Sequence, residues 1–295
     1  MTTRRPVNIT EIYAYSVSPW CILAGMLLIA AALAEELEVA LNLCTRRTRV
    51  ACEGVRLWSA VHQDVTIHFL KTGAGPRRSG NALQIALSSL RLANILVIGY
   101  AGALSREMKL GDLAVLRRAA LFGGGGEVLT PFEETSLIET RDLMESSSLL
   151  ALAQTTGTPS YLCDGLTSTH IIGDPNQKRF LHERFGVSII DMETAVLARV
   201  AASAGIPLGC VRAVSDEADD AFLAPFTYDP SLTPLRRVAR VLSAGNWIRR
   251  YGAWRDRAAI ARESLRKFLS AYLSQDSALH NQSSDRLRTD DGSRQ

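Results

Sequence analysis

Hydrophobic and polar positions along the chain follow two alternating patterns. Short runs rich in apolar or β-branched residues fall at 26–31, 65–71, 95–99, 113–116, 161–166, 187–191 and 208–214, and each reads as a buried strand. Between them, 34–43, 81–92, 144–153, 176–185 and 194–204 carry helical spacing. Strands alternating with helices predict a three-layer α/β domain. The four glycines Gly123 to Gly126 have no Lys-Ser/Thr after them, so they read as a mobile loop and not as a phosphate loop.

The ends of the chain read differently. The apolar run from Cys21 to Leu33 is interrupted by Gly25 and falls short of the roughly 20 residues that cross a bilayer, which argues against a transmembrane span. Arg4 and Arg5 before that run raise the idea of a secretory signal, but a mixed stretch including Glu11 separates them from it. The adopted reading is a poorly ordered extension over 1–25 and a first buried strand from Met26 to Ala31. From Pro234 to Gln275 basic residues outnumber acidic ones ten to two, while Leu235, Val238, Leu242, Trp247, Leu265, Phe268 and Tyr272 recur at roughly helical spacing. Residues 231–275 are therefore expected to form one or two basic amphipathic helices, able to pack on the domain or to lie on anionic lipid. The polar tail, 276–295, is expected to be disordered.

Composition narrows the function classes. With 295 residues, 47% hydrophobic, the chain can build a large core, and a formal charge of +3 is too small to make nucleic acid an expected partner. Cys21, Cys44, Cys52, Cys163 and Cys210 are odd in number and form no metal-ligand spacing, so reduced thiols in a cytoplasmic protein without a metal site are expected.

Ligands of open α/β sheets collect beyond the carboxyl ends of strands. Three such ends carry acids: Glu35 and Glu36 after the first strand, Asp191-Met192-Glu193 at a strand-to-helix junction, and Ser215-Asp216-Glu217 after an apolar run. Each has a structural alternative, because a carboxylate at a helix start caps amides and complements the dipole. Thr72-Gly73-Ala74-Gly75-Pro76 would let backbone amides approach an anion or a sugar, but lacks the third glycine of a dinucleotide fingerprint, which disfavours a nicotinamide cofactor. Gly99-Tyr100-Ala101-Gly102 would let a flat ring lie against backbone.

Gly99-Tyr100-Ala101-Gly102-Ala103-Leu104, Leu110-Gly111-Asp112-Leu113, Asp191-Met192-Glu193-Thr194-Ala195 and Arg212-Ala213-Val214-Ser215-Asp216, in this order and spacing, resemble the nucleoside phosphorylase family. That family includes purine nucleoside and uridine phosphorylases and the methylthioadenosine/S-adenosylhomocysteine nucleosidases. The likeness covers about residues 26–220, and within the family the chain looks most like the bacterial hopanoid-associated subgroup, which implies a lipid-linked nucleoside as one substrate. The resemblance implies a mixed, mostly parallel twisted sheet, a catalytic domain over 26–230, no cofactor, and a homo-oligomer of at least two subunits.

By that resemblance Glu193 holds the ribose 2′ and 3′ hydroxyls, Met192 packs under the sugar, Asp216 protonates the leaving purine with Ser215 orienting it, and Glu36 activates water. Ala101, Gly102 and the segment 168–171 would line the purine. Family phosphorylases carry an arginine near the first glycine turn and a Ser or Thr after the central glycine strand. Here stand Ala34-Glu35-Glu36 and Tyr100-Ala101, which favours water, whereas Gly73, Gly75 and Arg77, with Arg78, offer a site for inorganic phosphate as co-substrate. Hydrolysis and phosphorolysis both stay open at this level, as do a non-catalytic nucleoside-binding protein and a protein docking on a membrane surface through 232–275.

Overall fold

The computed structural model describes residues 27–122, 137–143, 146–221 and 255–275. The extension 1–25, the run Gly123 to Gly126, the tail 276–295 and the basic segment before residue 255 lie outside the described residues.

Strand β1 (Leu27–Ala31) is apolar at every position and buried on both faces, as a central parallel strand must be. Alternate residues serve two layers. Leu27, Ile29 and Ala31 join one cluster with Leu37 and Leu41 of α1 (Ala34–Leu41) and Leu149 and Leu152 of α3 (Ser146–Thr155). Leu28 and Ala30 join the other, with Leu83 and Ala86 of α2 (Pro76–Ser89) and Leu197 and Ala198 of α5 (Thr194–Ser203). Helices on both faces of one mixed sheet give the expected three layers.

β1 lies between β4 (Val65–Lys71) and β5 (Asn94–Ala103), parallel to both, and β5 also runs parallel to β10 (Leu208–Asp216). β6 (Leu113–Phe122), β8 (Ser160–Ser168) and the short β9 (Ile189–Asp191) complete a ring, since β10 pairs with β6, β6 with β8, β8 with β9 and β9 with β5. The ring draws the carboxyl ends of β5, β9 and β10 together. Antiparallel β2 (Thr45–Val50) and β3 (Arg56–His62) extend the other edge through β4, and β7 (Leu137–Asp142) pairs with β6. The β3–β4 hairpin turns on Gln63 and Asp64, both at positive φ as a two-residue primed turn demands.

Four elements differ from the sequence reading. α2 begins at Pro76, five residues before the expected start at 81, because Gly75 takes the N-cap position at φ +96 and proline suits the first helical turn. β2, β3 and β7 were not expected. β2 is TRRTRV, exposed along most of its length, and three arginines on an edge strand guard against edge pairing while erasing the hydrophobic signal.

The last described element is helix α6, residues 255–275. Ala261, Leu265, Phe268, Leu269, Tyr272 and Leu273 are buried in the same cluster as α1 and α3. The apolar face of this helix is thus occupied by its own sheet, and Arg266 and Lys267 point outward. α6 comes so close at Gly111, φ +88, that a Cβ there would stand 2.8 Å from Ile260. Among the described residues no helix is long and apolar enough to cross a membrane. Replacing the fully buried Phe268 by alanine should cost about 3–5 kcal/mol in denaturant-unfolding measurements; an unchanged midpoint would mean that α6 is not part of the core.

Candidate active site

Three of the acids that the sequence singled out, Glu36, Asp191 and Glu193, converge around one buried arginine. Arg212, on β10, is 1% exposed and stands 2.8 Å from Asp191 Oδ2 and 3.4 Å from Glu193 Oε2, and it donates to Thr194 Oγ1 at 2.9 Å. Asp191 fills the structural role that helix starts favour. Its Oδ1 accepts the amides of Glu193 and Thr194 and the hydroxyl of Thr167 at 2.7 Å, so it caps α5 and ties that helix to β8.

Glu193 does not cap. It sits at the N-cap position of α5, but its side chain crosses to the glycine turn after β4, where Oε1 accepts the Gly75 amide at 2.9 Å. Gly75 can aim that amide because its φ of +96 is open to glycine. Burial pushes the Glu193 carboxyl up to about 7, against the pull of Arg212 and with Asp191 adding to the rise.

Glu36, in the first turn of α1, is 2% exposed and accepts two amides, from Leu33 at 2.7 Å and from Tyr100 at 2.9 Å. Burial raises its pKa above the ordinary carboxylate value, while Arg212 and the two amides oppose the rise. Its neighbour across the sheet is Gly99. A Cβ at that position would lie 2.8 Å from Glu36 Oε1 and collide with Arg212, so the glycine is the gap through which the acid and the arginine approach β5.

Asp216 ends β10 three residues farther along β5. Its carboxyl stands over Gly102, where a Cβ would lie 2.9 Å from Oδ2. Oδ1 accepts the Ser215 hydroxyl at 2.9 Å, and the same hydroxyl lies 3.2 Å from the Ala101 carbonyl. Oδ2 accepts from the ammonium of Lys178, which is wholly buried. Glu36 and Arg212 therefore meet at Gly99, with Glu193 on the same guanidinium, and Asp216 stands at Gly102, roughly 10 Å farther along the strand.

Of the other expected site residues, Met192 is half-buried between Asp191 and Glu193, Ala101 and Gly102 form the floor beneath Asp216, and Gly73 and Gly75 both take positive φ in the turn that meets Glu193. Arg77 is exposed at the start of α2. Two residues were missed. Arg212 was visible as a charge inside the apolar run 208–214; Lys178 shares the inward side of α4 (Pro175–Phe185) with Leu181 and Phe185, but nothing in that polar helix separates it from the other cations. Among the described residues no group of three or more His, Cys, Asp and Glu is placed to hold a metal ion.

The phosphorylase superfamily model matches residues 19–243. The chain belongs to that superfamily, a family of nucleosidases and phosphorylases acting on N-glycosidic bonds. Solved structures share its fold. A mutant of the Helicobacter pylori nucleosidase MTAN, with 5′-methylthioadenosine in the active site, superposes with a TM-score of 0.66 at 18% identity over 86% of this chain and 100% of that one. The futalosine hydrolase of Helicobacter pylori gives 0.63 at 18% over 85% and 98%. The Neisseria meningitidis 5′-methylthioadenosine/S-adenosylhomocysteine nucleosidase, in complex with methylthio-immucillin-A, gives 0.63 at 14% over 85% and 99%. No curated protein matches the sequence.

Proposed function

We propose that this superfamily member cleaves the N-glycosidic bond of a purine nucleoside of the adenosine type, with water as the acceptor. The observation that carries the reading is the placement of acids along β5: Glu36 at Gly99, Glu193 on the Arg212 guanidinium that also reaches Gly99, and Asp216 at Gly102. Breaking the bond from C1′ to N9 builds positive charge on the sugar and negative charge on the base. The sugar end then needs carboxylates and the base end needs a proton.

Glu193 is offered as the ribose-binding carboxylate, fixed by Gly75 and Arg212 with Met192 beside the sugar. Asp216, turned by Ser215, is offered as the group that delivers a proton to the purine. Glu36 is offered as the base that takes a proton from water. A carboxyl whose pKa is raised by burial is a stronger proton acceptor once ionised, as that step requires. The positions of the cations support water over phosphate, since Arg212 is engaged by Asp191, Glu193 and Thr194 and Arg77 is exposed.

The test is product analysis. Purified protein incubated with adenosine and 5′-substituted adenosines should release adenine and the free sugar at a rate that added phosphate does not change. Ribose 1-phosphate, formed only when phosphate is present, would overturn the choice of water. Intact nucleoside after prolonged incubation would overturn the cleavage itself.

A further inference from the structure

Lys178 is 0% exposed, and its ammonium has three partners. It donates to Asp216 Oδ2, to the Glu217 carbonyl at 2.8 Å and to the Asp220 carbonyl at 3.4 Å, which uses all three of its N–H groups. Its helix is fixed at both ends. Asp174 caps α4 through the Asn176 amide at 2.7 Å, and Gly186 ends it in the left-handed conformation. The carbonyls are fixed too, since Glu217 N–H donates to Asp220 Oδ2 at 2.8 Å and Arg257 of α6 pairs with the same carboxylate. Burying an ammonium costs several kcal/mol unless it is fully partnered. Here a rigid site partners it and directs its third proton at Asp216.

This placement bears on the proton that the leaving base requires. Both oxygens of Asp216 are engaged as acceptors, Oδ2 by the Lys178 ammonium and Oδ1 by the Ser215 hydroxyl, so neither is placed to offer a proton of its own. We propose that Lys178 is the proton source behind Asp216, an inference that rests on reading Asp216 as the group facing the leaving purine. As the bond from C1′ to N9 breaks, its electron pair passes to the base. A proton moves from Lys178 Nζ to Asp216 Oδ2, leaving a neutral amine, and the hydroxyl so formed turns and delivers its proton to N7. Asp216 is a carboxylate again. The neutral amine keeps two N–H groups for the Glu217 and Asp220 carbonyls, and its lone pair accepts from the Asp216 hydroxyl until that hydroxyl turns to N7; the bond to Asp216 is restored when the ammonium is reprotonated. Water supplies hydroxide to C1′ and its proton goes to Glu36. Glu36 then returns that proton to solvent, and after the base leaves Asp216 takes one from solvent and passes it back to the buried Lys178, which closes the balance. Ser215 keeps Oδ1 occupied throughout, which leaves Oδ2 as the oxygen that carries the proton.

The test compares Lys178→Arg, Lys178→Met and Asp216→Asn with the unaltered protein on two substrates. One is a purine nucleoside. The other is 4-nitrophenyl riboside, whose leaving group departs as a stable anion and needs no proton. On the nucleoside at neutral pH, both lysine variants should be slower by about a hundredfold or more. The arginine variant should be as slow as the methionine variant, because a guanidinium keeps the charge but does not give up its proton. Lowering the pH should restore part of the methionine variant's rate, as solvent then protonates Asp216 directly. Cleavage of the nitrophenyl riboside should stay close to the unaltered rate. Nucleoside turnover restored by Lys178→Arg would overturn the proposal in favour of a purely electrostatic role. Equal losses on both substrates would overturn it in favour of a structural one. If Asp216→Asn leaves nucleoside turnover unchanged, the reading of Asp216 itself fails. If Asp216→Asn is slow and the lysine variants are not, only the relay fails.

Discussion

Replacing Arg212 by methionine is expected to lower folding stability by about 3–5 kcal/mol, the range for removing one partner of a buried charge network. Methionine follows the arginine path only to about Nε, so the loss combines the missing charge with the vacated space of the guanidinium. Asp191, Glu193 and Glu36 would then face one another in the protein interior without the cation that lies 2.8 Å from Asp191 and 3.4 Å from Glu193. The pH response of Glu193 gives the prediction a second readout. Glu193 is raised to about 7 by burial even with Arg212 in place. A carboxyl whose folded pKa exceeds its unfolded one contributes stability below the unfolded pKa, near 4.5, and that contribution is lost as pH rises to about 7. Without Arg212 the rise in Glu193 grows, so the variant should lose stability more steeply than the unaltered protein across that window. Urea midpoints measured at pH 5 and pH 8 check both statements. Equal midpoints for variant and unaltered protein at pH 8 would contradict them.

Asp216→Asn should cut base release by about 10²- to 10⁴-fold, the contribution of a positioned general acid. The amide retains an oxygen that can accept from Lys178, and Ser215 still bonds the Ala101 carbonyl, so the fold should survive. Nucleoside binding should change far less than turnover, because Glu193 and the Gly75 turn lie at the sugar end and are untouched. Turnover is read from adenine release and binding from calorimetry. An unaltered rate would remove Asp216 as the acid, and equal losses in rate and affinity would make it a binding residue instead.

The layered architecture was legible because β1, β4, β5, β6, β8, β9 and β10 carry concentrated apolar runs that a sheet buried on both faces demands. β2 was not, since TRRTRV lies exposed at an edge and nothing in its periodicity requires a strand. The same logic separates the site residues. Glu36, Glu193 and Asp216 could be singled out because they end apolar strands, where a sheet opens to ligands. The choice between capping and binding could not be read from the chain. Asp191 and Glu193 are two residues apart at one helix start, and only the packing shows that the first caps α5 while the second reaches Gly75. Lys178 was hidden by its surroundings, PNQKRFLHERF, a polar helix in which one cation among several turns inward. Its partners, the Asp216 carboxylate and the carbonyls of Glu217 and Asp220, are some forty residues away in sequence and meet it only through the closure of the β5–β10 ring.

The most direct measurement is a crystal structure of the protein soaked with a non-cleavable purine nucleoside mimic. The expected density shows one ligand across β5, its ribose hydroxyls within hydrogen-bond distance of Glu193 and its purine N7 against Asp216. A ligand that touches one of these carboxylates while the other faces a separate region would contradict the account.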